Sequence, residues 1–201
     1  GADALEGLVN EGEIGTLPSH LTEFVKTVKA MKEVTPKSID SAVAQYIATV
    51  QLSLARASGS KALKTYVEHK IDLSNIRTAL RNADDLIEGG SIPPAALTKG
   101  VPGIVSAINR STLPYELAEN VRKAVGDSNA VEHALSKVTA DDIAHMWNVP
   151  LSIEPVFAFA ALAQSQMRLL RVLLIGKRAN MSPQEIKLML PPFLSASHYV
   201  L

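Results

Sequence analysis

The chain has 201 residues, with 20 Lys and Arg against 20 Asp and Glu, 47% apolar and 4% aromatic residues, and no cysteine. That length suffices for a sizeable core without a metal or disulfide staple, and the missing cysteines remove disulfides, thiol catalysis and thiolate metal sites together. A core so poor in aromatics is filled by Leu, Ala, Val and Ile, which favours packed helices over a sandwich or barrel. With 11 basic and 12 acidic residues in 1–100, neither half carries the basic excess of a nucleic-acid binder or a polybasic membrane anchor.

Residues 1–16 read as an N-terminal segment. It has four acids and no base, unlike a signal peptide. Behind Pro18 and Ser19, the apolar residues Leu21, Phe24, Val25 and Val28 recur at helical spacing. Pro36 opens a second helix, whose stripe Ile39, Val43, Tyr46, Ile47, Val50 and Leu54 runs to Gly59. A third is predicted from about Ser60 through Arg81, followed by an acidic, glycine-containing turn over 84–90. Pro93–Pro94 opens a short segment ending at Gly100. Pro114 then opens a helix to about Val125, Ala130–Trp147 forms another, and Pro155 begins a long one that Gly176 is expected to end. Ser182, Pro183 and Glu185 have the spacing of a capping box, and Pro191–Pro192 stops that last helix. No alternating strand pattern appears, so the fold class is all-α. The longest uncharged apolar-rich run, Pro155–Met167, is shorter than the roughly 20 residues a membrane span needs, and no transmembrane segment is expected.

The two halves look like copies. Leu17–Glu23 aligns with Leu113–Glu119, Ile39–Val43 with Val131–Leu135, and Asn75–Arg77 with Leu169–Arg171, at offsets of 96, 92 and 94. The expected division is a helical repeat over 17–100 and a second over 101–201, packed side by side.

Sites for chemistry are scarce. The five histidines form no metal-ligand pair, no phosphate-cradling glycine loop follows a strand, and no nucleophile elbow is present. Asp141 and His145, four apart, read as a surface contact, and Asp84–Asp85 as a solvated turn. No cofactor, metal or catalytic residue is therefore assigned. What stands out is basic residues on apolar helices. Arg77 and Arg171 fall at equivalent repeat positions inside apolar stretches. Both are expected to be structural, bonded to helix-end carbonyls or to an acid such as Asp72 or Glu154. Arg81, Arg168, Lys177 and Arg178 lie nearer helix ends and are candidate partner contacts.

The run Tyr66–Arg81 (YVEHKIDLSNIRTALR) resembles the D-x-x-N-I-R-T-x-L-R signature of the C/d subunit of vacuolar and archaeal-type rotary ATPases, with Asp72, Asn75 and Arg77 at the matching positions. Glu154–Leu190 resembles that family's C-terminal signature, with Gln164 and Gln166 where acids are common. The resemblance implies the C-terminal two of three repeats in a funnel-shaped, pseudo-threefold helical subunit. That implied subunit is not a catalyst. It is a socket in the central stalk, between the rotor shaft and the membrane proteolipid ring, peripheral on the cytoplasmic face, through which ATP turnover is coupled to proton or ion movement. The alternative is an all-α scaffold or regulatory protein that binds a partner helix.

Overall fold

The computed structural model describes residues 19–31 and 35–190. The 1–16 segment, Leu17–Pro18 and the Pro191–Pro192 stop lie outside them. The described residues are helical with no strand: α1 (Ser19–Lys29), α2 (Pro36–Ala57), α3 (Lys61–Leu80), α4 (Pro94–Leu97), α5 (Gly100–Ile108), α6 (Tyr115–Ala124), α7 (Ser128–Trp147), α8 (Glu154–Arg178) and α9 (Pro183–Met189).

Local chemistry explains most of the boundaries. The Thr35 hydroxyl accepts from Ser38 N–H at 3.1 Å while Ser38 Oγ accepts from Thr35 N–H at 2.9 Å, with Pro36 at the first helical position of α2. Ser60 caps α3 through Leu63 N–H, and Asp127 caps α7 through the N–H groups of Asn129 and Ala130. Ser182 and Glu185 close a reciprocal box at α9, with Glu185 accepting from Ser182 N–H at 2.7 Å. That bond, then the Ser182 hydroxyl, holds the Glu185 carboxyl below its ordinary pKa.

Two boundaries differ from the sequence expectation. Gly176 does not end α8. It sits buried inside the helix because α9 crosses there, and a Cβ at 176 would stand 2.6 Å from Ile186 Cγ1. The stop comes at Asn180, in the left-handed region at φ 53°, with Met181 N–H bonded to Gly176 C=O and Asn180 N–H to Lys177 C=O. α3 ends the same way: Asn82 at φ 55°, Ala83 N–H on Thr78 C=O and Asn82 N–H on Ala79 C=O. The second difference is α5, a helix that begins at Gly100, where the sequence predicts only the end of a short segment. Pro102 falls in the first turn, where its missing N–H is not needed. Gly103 lies where a Cβ would meet Lys99 Cβ at 2.5 Å. The helix buries Ile104 and Ile108, four apart on one face.

α3 and α7 run antiparallel through the centre and share two buried clusters. One joins Leu73 and Ile76 of α3 to Leu135 and Val138 of α7, with Ile104 and Ile108 of α5 and Leu117 and Val121 of α6. The other joins Leu63, Val67 and Ile71 to Ile143 and Met146, with Leu52 of α2 and Ala158 of α8. Each cluster thus draws on both sides of residue 100. α1 packs on α2, with the Phe24 and Tyr46 rings 4.8 Å apart. The helices α1, α2 and α3 have 11, 22 and 20 residues, and α6, α7 and α8 have 10, 20 and 25.

Candidate functional site

The signature helix α3 is built around polar side chains that hold the connection after it. Asp72 and Asn75 are fully buried. The Asp72 carboxylate accepts from Ser91 N–H at 3.0 Å, Ser91 Oγ at 2.6 Å and Ile92 N–H at 3.0 Å. Asn75 donates from Nδ2 to Ile87 C=O at 2.7 Å and accepts from Ile87 N–H at 2.8 Å. A buried backbone without partners is costly, so these two side chains give the 82–93 segment the hydrogen bonds that a helix or sheet would otherwise supply. Gly90 is part of the arrangement, because a Cβ there would collide with the Asp72 carboxylate. Burial pushes the Asp72 carboxyl above its ordinary pKa, against the opposing pull of Ser91, Ile92 and His69.

Three further ties join the halves. Ser60 Oγ donates to Glu154 Oε1 at 2.5 Å, linking the starts of α3 and α8. The hydroxyls of Ser152 and Ser60 hold the Glu154 carboxyl below its ordinary pKa. His69, 4% exposed, places Nδ1 2.9 Å from Asp142 Oδ2 and Nε2 3.1 Å from Thr112 Oγ1. Burial lowers the His69 pKa, but the Asp142 hydrogen bond and charge, with Thr112 and Asp72, raise it further, and the net shift is upward. Arg77 Nε donates to Glu132 Oε1 at 2.6 Å.

Arg77 is therefore a half-buried ion-pair partner of Glu132, rather than of the Asp72 or Glu154 considered from sequence. Arg171 departs from expectation: it is exposed on α8. The reason is the setting of each helix. α3 is central, with α7 alongside to supply Glu132, whereas position 171 lies on the outward side of a peripheral helix. Arg81, Arg168, Lys177 and Arg178 are exposed. They do not converge. Arg81 lies 3.6 Å from Glu132 at the end of α3, while the other three lie on α8. Asp141 and His145 are exposed on α7, and Asp85 pairs with Lys37 at 3.1 Å.

Sequence reasoning missed the groove between these helices. An apolar part of about 600 Å³ is lined by Leu54, Leu63, Val67, Ile153, Phe157 and Ala160. It continues through Tyr66, Lys70 and Gln164 into a polar part of about 240 Å³ that reaches Arg77, Ser136 and Arg168. Phe157 meets Tyr66 edge-on at 5.4 Å. Lys70 Nζ donates to Gln51 Oε1 at 3.3 Å, and burial, then the charge of Arg168, pushes it below the ordinary lysine pKa. Beyond the groove, α8 turns apolar side chains outward: Val156, Phe159, Met167, Leu170 and Leu174 are each more than half exposed. Among the described residues, α8 is the one helix long and apolar enough to cross a membrane by length and composition. In this fold its other side packs against α7 and α9.

No cluster of metal-ligating side chains occurs among the described residues. The class of protein defined is an all-helical body, cross-tied between its halves, with a groove that is apolar at one end and polar and basic at the other, and an apolar outer helix. The family model of the ATP synthase (C/AC39) subunit matches residues 1–189, and the chain belongs to that family. No curated protein and no solved structure matches it.

Proposed function

We propose that this chain is a non-catalytic central-stalk subunit of a V/A-type rotary ATPase or ATP synthase. It acts as a socket between the rotor shaft and the membrane proteolipid ring, so that torque couples ATP turnover to proton or ion movement. The family match over residues 1–189 carries this reading. The build of the molecule supports it physically. A torque-bearing coupler needs stiffness, and α3 is tied to α7 and α8 by the Ser60–Glu154, His69–Asp142 and Arg77–Glu132 contacts at three levels along its length. The coupler works from the cytoplasmic face as a peripheral subunit and uses no cofactor.

The same reading makes the chain two copies of one helical repeat, 17–100 and 101–201. The matched helix lengths and the paired Asn82 and Asn180 helix ends support this. Association of the purified chain with rotor-shaft subunits, and separately with the proteolipid ring, tests the function. Binding to neither would overturn it, as would stoichiometric nucleotide binding at micromolar affinity in a calorimeter.

A further inference from the structure

We infer that the groove between α2, α3, α7 and α8 is a binding site for a single-chain anionic amphiphile, with the hydrocarbon tail in its apolar part and a compact carboxylate or phosphate head in its polar part. The change of character from one end of the groove to the other carries this. The apolar part, about 600 Å³, lies within the roughly 300–1,000 Å³ of small-molecule sites. It opens into the polar part, about 240 Å³, through a shared mouth at Tyr66, Lys70, Ala161 and Gln164. Beyond that mouth the apolar lining has two polar side chains, and both are engaged. Ser58 Oγ donates to Ala55 C=O at 2.6 Å, and Gln51 Oε1 accepts from Lys70 Nζ at 3.3 Å. An extended peptide laid there would strand its amide groups, whereas a hydrocarbon tail has no polar group to satisfy.

Charge sets the head. No Asp or Glu lines either part, while Lys70, Arg77 and Arg168 line the polar one. Glu132 takes Arg77. Lys70 and Arg168 pair with no acid among the described residues. They act on each other instead, since the charge of Arg168 adds to burial in holding the Lys70 pKa down. An anion beside both converts that repulsion into two charge-assisted contacts. Ser136, Thr139 and Ser165 line the same part, and their hydroxyls are further donors to an anionic head. A cationic head would meet two like charges, and a neutral one would leave their repulsion in place. The inference goes beyond the stalk reading and does not rest on it.

The test titrates the full chain in a calorimeter with dodecanoate, dodecyl phosphate, dodecanol, dodecyltrimethylammonium and butyrate, each below its micelle concentration. The expected result is one site per chain for dodecanoate or dodecyl phosphate, the tighter of the two naming the head. Dodecanol and butyrate, which keep only the tail or only the head, should bind at least tenfold more weakly, and the ammonium amphiphile more weakly still. Lys70→Gln with Arg168→Gln should weaken the anionic amphiphile at least tenfold, and Lys70→Arg should retain it. Ala160→Trp, at an exposed position in the apolar lining, should weaken it at least tenfold by filling the tail's space. Arg171→Gln removes an exposed charge from the same helix outside the groove and should leave binding unchanged. Circular dichroism and Tm check that each variant is folded. The inference is overturned if neither anionic probe binds, if dodecanol or the ammonium amphiphile binds as tightly as the anions, or if folded groove variants bind as the wild type does. Several equivalents bound per chain would also overturn it, since that is adsorption to the exposed apolar face of α8. Capture of another subunit by a photo-crosslinker at position 160 in the assembled complex would make the groove a protein interface and overturn it as well. Each of these failures leaves the stalk reading standing, and failure of the shaft and ring pull-downs leaves the amphiphile site standing.

Discussion

Asn75→Asp changes one atom of a fully buried side chain and should turn part of the molecule's stability pH-dependent. Asn75 gives Nδ2–H to Ile87 C=O and takes Ile87 N–H on Oδ1. An aspartate of the same shape keeps the second bond and loses the first. It also brings a carboxylate oxygen against a carbonyl oxygen. Ile87 is only half-buried, so water can partly serve its carbonyl, and that loss sits near the low end of the range, about 1 kcal/mol. An ionised carboxylate with no exposure and one donor adds at least one pKa unit of destabilisation, about 1.4 kcal/mol. The total at neutral pH is about 2–3 kcal/mol. With a urea m-value of about 2 kcal/mol/M, the unfolding midpoint should fall by about 1–1.5 M. The variant carboxyl has a raised folded pKa, so its protonated form restores the missing donor. The penalty is absent below the unfolded pKa and grows as pH rises through the folded one. Urea unfolding of wild type, Asn75→Asp and Asn75→Ala at about pH 7 and about pH 5 reads this directly. Asn75→Ala should lose a similar amount at both pH values, whereas Asn75→Asp should recover in acid. An Asn75→Asp midpoint that matches wild type at pH 7, or a deficit that does not change with pH, would refute the clamp as described.

Other outcomes follow from the same contacts. Gly90→Ala should cost about 2 kcal/mol by forcing the Asp72 carboxylate aside, and in an Asp72→Ala background it should cost almost nothing more; a double-mutant cycle in urea measures the difference. His69 has a raised folded pKa, so its contribution is complete below its ordinary 6.5 and is lost as pH rises through the folded value. The stability gap between wild type and His69→Gln should therefore be widest in mild acid and narrow toward about pH 9, and a gap that widens with pH contradicts the Asp142 pairing. Arg77→Ala removes an ion pair whose side chains are about one-third exposed. Its cost should be about 1 kcal/mol, not the several expected of a fully buried arginine, as read from denaturant midpoints. Charge reversal at Arg81 or Lys177 should leave Tm almost unchanged and weaken binding to shaft or ring in a salt-dependent way.

Features set within a few residues of one another were legible in the chain itself. Pro36, Ser60, Ser182–Glu185 and the stripes of α2, α3 and α7 decide their own local hydrogen bonds and burial, so all-α architecture follows from them without a partner. The signature spacing of Asp72, Asn75 and Arg77 also marked family membership in advance. Position in the fold decided the rest. Gly176 reads as a helix end, because an isolated glycine usually is one. Only the crossing of α9 makes it an interior contact, while Asn180 takes the left-handed turn. Gly100 reads as the end of a short segment, yet a first helical turn tolerates both Gly100 and Pro102, and the core needs Ile104 and Ile108. Arg77 and Arg171 occupy matching sequence positions, but a side chain's partner is supplied by a neighbouring helix, and α7 brings Glu132 only to the first. Long-range pairing of this kind, like the groove of Tyr66, Lys70 and Arg168, depends on which helices meet across about a hundred residues. Local periodicity carries no information about that.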